Sequence, residues 1–222
     1  PGGVRDHLPA GMPGMGAPAK AGGDTVKCDI ILCGVGGQGV LTVGAVIAMA
    51  AAADGLEVRQ SEVHGMAQRG GAVLSHLRLS DTSVAADLIP RGCADLILSM
   101  EPLEGLRYLR WLKSDGVLLS AEEPFLNIAD YPSPEILRAM LDKVPGARLV
   151  PAQSLAQQSG NRRAVNMVMV GAASIYLPIS RLILRDTIAR MFASKGNDVV
   201  ARNLDALELG AASAAAQARS SS

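Results

Sequence analysis

The chain has 222 residues, with 21 basic against 21 acidic side chains and a formal net charge of zero. That balance, with no basic block along the sequence, argues against nucleic acid or an anionic membrane surface as the main partner. The length suits one compact domain with tails. A composition 49% apolar but 3% aromatic suits helices packed closely on a parallel sheet.

Residues 1–26 are rich in Gly, Pro and Ala and lack the continuous apolar run of a signal peptide, so they read as a flexible arm. Cys28 to Cys33 reads as a buried first strand ended by glycines. Gln38 to Ala53 follows as a helix stopped near Asp54-Gly55, and its apolar part is too short to span a bilayer. Leu56 to Ser61 is a second strand, Gly65 to Gly71 a loop, and Ala72 to Leu79 an alternating strand. Ala94 to Ser99 is another strand, followed by a helix over Pro102 to Leu112 and a strand over Gly116 to Ser120. Ser133-Pro134-Glu135 opens a helix with a cap and a proline, running to about Lys143. Arg148 to Pro151 is a short strand. Helices over Asn166 to Tyr176 and Ser180 to Phe192 are broken at Pro178, and Asn197 to Leu209 is the last. Strands alternating with helices give an α/β fold: a doubly wound, mainly parallel sheet with a Rossmann-like first βαβ unit. The expected domain is 27–210, with residues 211–222 as an Ala/Ser-rich flexible tail.

Three cysteines, Cys28, Cys33 and Cys93, form neither a disulfide framework nor a metal-binding spacing. They read as reduced thiols, with Cys33 and Cys93 packed on strand ends.

Two glycine-rich signatures carry the chemistry. In the first, Gly34-Val35-Gly36-Gly37-Gln38-Gly39 follows the first strand and opens a helix, the context in which G-x-G-x-x-G binds a dinucleotide. Glycines there let backbone approach a ligand, and the helix start offers N–H groups to an anion. Three readings stay open: an anion or cofactor site, close helix–sheet packing, or NAD with Glu57 or Glu62 on its ribose. The second signature, Ser61 to Gly71, holds His64, Gln68, Arg69 and Gly70. Arg69 offers a planar charged fork for phosphate or carboxylate, and Gln68 an adaptable amide; the alternative is that they brace the loop or meet a partner subunit. His76, alternating on a strand, reads as structural. A third polar cluster runs from Gly160 through Asn161, Arg162 and Arg163 to Asn166, with Asn161 read as a helix cap and Arg163 as a surface charge. Lys195-Gly196 reads as a helix start and Asn203 as a solvated or interface position.

In this order the signatures resemble the γ-type domain of the thiamine-dependent 2-oxoacid:ferredoxin oxidoreductases. The wording from His64 to Gly71 is most similar to the small subunit of its indolepyruvate branch. The resemblance runs from Asp29 to Gly210 and includes Leu41-Thr42, Glu101-Pro102-Leu103-Glu104, Gly160-Asn161, Asn166 and Asn203 to Gly210. It implies a cytoplasmic, non-catalytic but required subunit. A larger α subunit is then expected to carry thiamine diphosphate and [4Fe–4S] clusters. The implied reaction is oxidative decarboxylation of an arylpyruvate, with coenzyme A taking the acyl group and ferredoxin the electrons. Gly34, Gly36, Gly37, Gln38, Gly39, His64, Gln68, Arg69 and Gly70 are the expected cofactor-binding residues, with no catalytic or metal-binding residue in this chain. Pyruvate, 2-oxoisovalerate and 2-oxoglutarate remain alternative substrates, and a stand-alone NAD(P)-binding oxidoreductase remains the competing class.

Overall fold

The apolar run after the arm forms β1 (Lys27–Val35), buried from Cys28 onward. The computed structural model to which it belongs describes residues 25–64, 71–126 and 128–219. All but the last two residues of the expected arm lie outside that range. After β1 come α1 (Val40–Ala53), β2 (Glu57–His64), β3 (Ala72–Ser80), β4 (Ala94–Ser99) and α2 (Pro102–Arg107). A 3₁₀ turn, Leu109–Trp111, leads into β5 (Leu112–Ala121). Then follow α3 (Pro134–Leu141), β6 (Ala147–Val150), α4 (Ala152–Gln158), α5 (Val165–Ala173), α6 (Arg181–Phe192) and α7 (Asn197–Arg219). No helix among the described residues is long and apolar enough to cross a membrane.

The six strands make one sheet in the order β2-β3-β1-β4-β5-β6. β1, β4, β5 and β6 pair in parallel, whereas β3 is antiparallel to both β1 and β2. The doubly wound α/β class is therefore as expected, with one refinement: in the first βαβ unit β3 stands between β1 and β2. The physical reason is in the strands themselves. β3 is buried on both faces from Leu74 to Ser80 and so belongs inside the sheet, while β2, with Arg59, Gln60 and Glu62, suits an edge.

Successive β1 residues face opposite layers. Ile30 and Leu32 join Leu96, Leu98, Leu119 and the apolar sides of α1, α5, α6 and α7 in the larger core. Ile31 and Cys33 join Ile97, Leu118 and Leu141 in a smaller one, closed by Tyr108 and Trp111.

Three expectations are corrected. The tail is not a tail as far as Arg219: α7 continues to that residue with Ala211 and Ala214 buried, because alanine is the best helix former and small enough to pack closely. The helix expected over 102–112 ends at Arg107 and gives way to the 3₁₀ turn. Cys93 is exposed rather than packed, whereas Cys28 and Cys33 are buried. α4 was not foreseen.

Candidate functional site

At the end of β1 the chain turns through Gly36 to Gly39 into α1. A Cβ on Gly34 would lie 2.9 Å from both the Met100 Cβ and a Val40 methyl, so this glycine lets the ends of β1 and β4 close on the helix. Gly39 precedes α1 in the left-handed region at φ 81°, and a Cβ there would lie 2.1 Å from the Asn166 amide nitrogen. Gly37 faces open space. Gln38 braces the loop from both sides: its Oε1 accepts from the Val35 N–H at 2.7 Å, and its Nε2 donates to the Met100 carbonyl at 3.1 Å. α1 begins with no side-chain cap and no acidic residue in its first turn, so its positive end is suited to an anion.

The second signature begins at the end of β2. The His64 side chain and residues 65–70, with Gln68, Arg69 and Gly70, lie outside the described residues. The flanks show where that segment starts and returns. His64 pairs with Val73, which pairs with Gly34, and the Gly36 N–H donates to the Gly71 carbonyl at 2.9 Å. The described flanks of the second signature thus lie beside the C-terminal end of β1.

That end of the sheet holds a cleft of about 720 Å³. Gly37 and Gln38 form one side; Glu123, Pro124 and Phe125 after β5 form another. Gln153, Ser154 and Gln157 of α4, with Arg162, Arg163 and Asn166 ahead of and on α5, complete it. From β1 the chain crosses to β2 and β3 on one side and to β4 on the other, and open α/β sheets bind ligands where the strand order reverses. Arg162 and Arg163 are exposed, and neither is a member of the ion pairs found among the described residues. Glu123 Oε1 accepts from the Gln153 N–H at 2.9 Å, while its Oε2 is buried with no partner among the described residues. A second cavity, of about 420 Å³, shares Arg163 and Asn166 and adds Lys195 and Asn203. Asn203 is buried there, with its amide on the Val199 carbonyl.

Two guanidinium groups, a helix start and several amides can hold a phosphate- or carboxylate-bearing ligand. They do not amount to a nucleophile with its base. His76 is buried on β3, where its Nδ1 accepts from the Ile89 N–H at 3.1 Å; burial, then the Arg78 charge, lowers its pKa, so it is structural. Burial pushes the Cys28 thiol up to about 12 and raises Cys33 as well, leaving both protonated. Among the described residues no group of three or more His, Cys, Asp or Glu side chains is placed to hold a metal ion, and these residues do not fit an iron–sulfur cluster.

The dinucleotide reading loses its acidic partner. Glu57 begins β2 at the far end of the sheet, where it holds Arg59 and the Val84 N–H. Glu62 accepts from Gln60 Nε2 at 3.0 Å on a strand separated from β1 by β3, a lateral gap of about 9–10 Å. Asn161 does not cap α5, whose cap is Ala164; its Oδ1 instead accepts from the Arg163 N–H at 3.0 Å. Arg163 is exposed as expected of a surface charge, and with Arg162 it also lines the cleft. The α4 amides were missed, although Gln153 and Gln157, four residues apart after Pro151, are a readable helical face.

Glu104 on α2 is buried, with Oε1 on Arg107 at 3.1 Å and Oε2 without a partner among the described residues. Burial raises its pKa above the usual glutamate value of 4.5. The folded state therefore holds this proton more tightly than the unfolded chain. Its favourable contribution is complete below 4.5 and is lost as pH rises through the folded pKa. Glu104→Gln is expected to flatten the fall in stability above pH 4.5; urea midpoints at pH 4.5 and 7.5 check this, and a slope equal to wild type would refute it.

The structure is a mainly parallel α/β sheet with a cleft at its switch point. The chain belongs to the pyruvate ferredoxin/flavodoxin oxidoreductase family, whose sequence pattern matches residues 29–213. This is the family that the two signatures resemble. Indolepyruvate oxidoreductase subunit IorB of Thermococcus kodakarensis is 35% identical over 192 residues, 82% of this chain and 93% of that protein. Its namesake in Archaeoglobus fulgidus is 36% identical over 195 residues, 83% and 94% of the two chains. Among solved structures, 2-oxoglutarate:ferredoxin oxidoreductase from Magnetococcus marinus, with 2-oxoglutarate, coenzyme A and succinyl-CoA bound, has a TM-score of 0.69 at 25% identity. That match covers 86% of this chain but 31% of the other, so this chain corresponds to under a third of that polypeptide. Pyruvate oxidoreductase subunit PORC from Thermotoga maritima shares the fold, with a TM-score of 0.66 over 84% of this chain and 96% of that one at 23% identity.

Proposed function

We propose that this chain is the small, cytoplasmic subunit of an indolepyruvate:ferredoxin oxidoreductase and that its cleft receives coenzyme A. In that reaction an arylpyruvate and coenzyme A yield acyl-CoA and CO2, and two electrons pass to ferredoxin. Thiamine diphosphate, on the larger subunit, supplies the electron sink for decarboxylation, and the iron–sulfur clusters belong to that subunit too. The observation that carries the reading is the cleft. Arg162 and Arg163, in no ion pair among the described residues, stand beside an uncapped helix start and a row of amides, matching a ligand with phosphates at one end and an amide-bearing arm. Gly34 and Gly39 shape the loop, Gly36, Gly37 and Gln38 present it, and His64, Gln68, Arg69 and Gly70 complete the ligand set.

Indolepyruvate is favoured over other 2-oxoacids because the IorB relatives align over nearly their whole length. A ketoisovalerate oxidoreductase subunit matches at 28% identity and only 35% of its length. The subunit reading also accounts for Leu126, 76% exposed, with Ile128, Ile136 and Met140 exposed in the same stretch, apolar surface suited to a partner.

Tagged chain purified from its host is expected to bring a larger partner in equal amount with iron and thiamine; a lone chain that binds NAD overturns the proposal. In the assembled enzyme Arg163→Ala should raise KM for coenzyme A about tenfold, the worth of one charge-assisted hydrogen bond, with assembly intact. Loss of assembly instead would place Arg163 at the subunit interface.

A further inference from the structure

We infer that the hydrogen bond from the Tyr131 hydroxyl to the Glu101 carboxylate is a latch that sets the cleft's geometry, with Glu101 a positioning residue for the bound ligand. The inference rests on the coenzyme A reading of the cleft. Glu101 is 1% exposed. Its Oε1 accepts from the Glu104 N–H and its Oε2 from the Leu103 N–H at 3.2 Å, closing the start of α2. The same Oε2 also accepts from the Tyr131 hydroxyl at 2.5 Å. Tyr131 lies in the β5–α3 connection, whose first residues, Glu123 to Phe125, are one wall of the cleft. The opposite wall is anchored one residue away, because Gln38 Nε2 donates to the Met100 carbonyl. Both walls are thus tied to adjacent residues at the end of β4. Glu122, with its N–H on the Val150 carbonyl at 2.8 Å, holds the near end of the connection, and Tyr131 holds the far end.

A cap for α2 alone does not require this arrangement. A short Ser or Asp satisfies those N–H groups, whereas the longer glutamate also reaches Tyr131. Burial, then the bond to Glu101, raises the phenol's pKa, so the tyrosine remains a donor across the range in which enzymes of this kind work.

The test uses the assembled oxidoreductase. Tyr131→Phe keeps the ring and the α2 cap and deletes one donor. KM for coenzyme A should rise about tenfold while kcat at saturating coenzyme A stays within about twofold, and amide exchange in residues 122–126 should quicken while α2 is unchanged. Glu101→Gln turns an amide NH2 toward one of the Leu103 and Glu104 backbone donors, so it should raise KM as well but also quicken exchange at the start of α2, which Tyr131→Phe leaves unchanged. Unchanged exchange in Tyr131→Phe overturns the latch. Faster exchange with unchanged KM, where Arg163→Ala does raise KM, overturns the positioning role. If neither Arg163→Ala nor Tyr131→Phe moves KM but exchange quickens, the coenzyme A reading falls while the latch stands.

Discussion

Replacing Arg78 by methionine is expected to cost about 3–5 kcal/mol of unfolding free energy, the usual result of breaking a buried ion pair from one side. Asp29 is fully buried, and Arg78 meets it with two parallel bonds, Nε to Oδ1 at 2.8 Å and Nη2 to Oδ2 at 3.1 Å. Lys27 reaches the same carboxylate at 2.9 Å from a half-exposed position, which offsets little once the guanidinium is gone. Arg78 Nη1 also donates to the Ala86 and Leu88 carbonyls at 2.9 and 3.3 Å, pinning the loop that covers the smaller core. Adding Asp29→Asn to the variant should recover part of the loss, because it removes the stranded charge but not the two released carbonyls. Urea denaturation of the four chains in a double-mutant cycle measures this. A single-variant loss below about 1 kcal/mol would show that water reaches the pair. The cleft lies at the other end of β1, so KM for coenzyme A in the assembled enzyme should hardly change.

That separation of stability from site also explains what was legible in the sequence. Strands such as Cys28 to Cys33 and Ala94 to Ser99 are short apolar runs with clear punctuation, and their identity follows from local chemistry. The position of β3 between β1 and β2 does not. Nothing within Ala72 to Ser80 states which neighbour it takes; burial on both faces decides it, and that is a property of the whole sheet. The glycine loop was readable, and its residues divide by role only in three dimensions: Gly34 packs, Gln38 braces, Gly37 stays open. Arg162 and Arg163 are hard to read from sequence, because two adjacent arginines before a helix carry no periodic signal. Their meaning comes from α4 and from the Glu123 to Phe125 wall, which approach from distant parts of the chain. α4 itself was lost because a seven-residue polar helix is marginal by propensity and is held by tertiary contacts.

The second large effect is expected where α5 crosses α7. A Cβ built on Gly171 lies 2.0 Å from the Leu207 carbonyl oxygen, and one on Gly210 lies 2.0 Å from the Val168 carbonyl oxygen. The two glycines are reciprocal: each removes a side chain where the other helix's backbone passes. Alanine at either position cannot be accommodated by turning a side chain, because the obstacle is backbone, so the helices must separate. Overpacking of this kind costs about 3 kcal/mol, against a gain of about 1 kcal/mol from replacing glycine within a helix. Gly210→Ala should therefore lose about 2 kcal/mol net. The double variant should lose less than twice that, since one separation relieves both clashes. Unlike Arg78→Met, this change also reaches the site, because α5 begins with Val165 and Asn166 in the cleft wall and Asn166 packs on Gly39. KM for coenzyme A should rise with the loss of stability, giving a pattern distinct from Arg163→Ala, which changes KM alone. A Gly210→Ala variant more stable than the parent by about 1 kcal/mol, as at a solvent-facing helical glycine, would refute the close crossing.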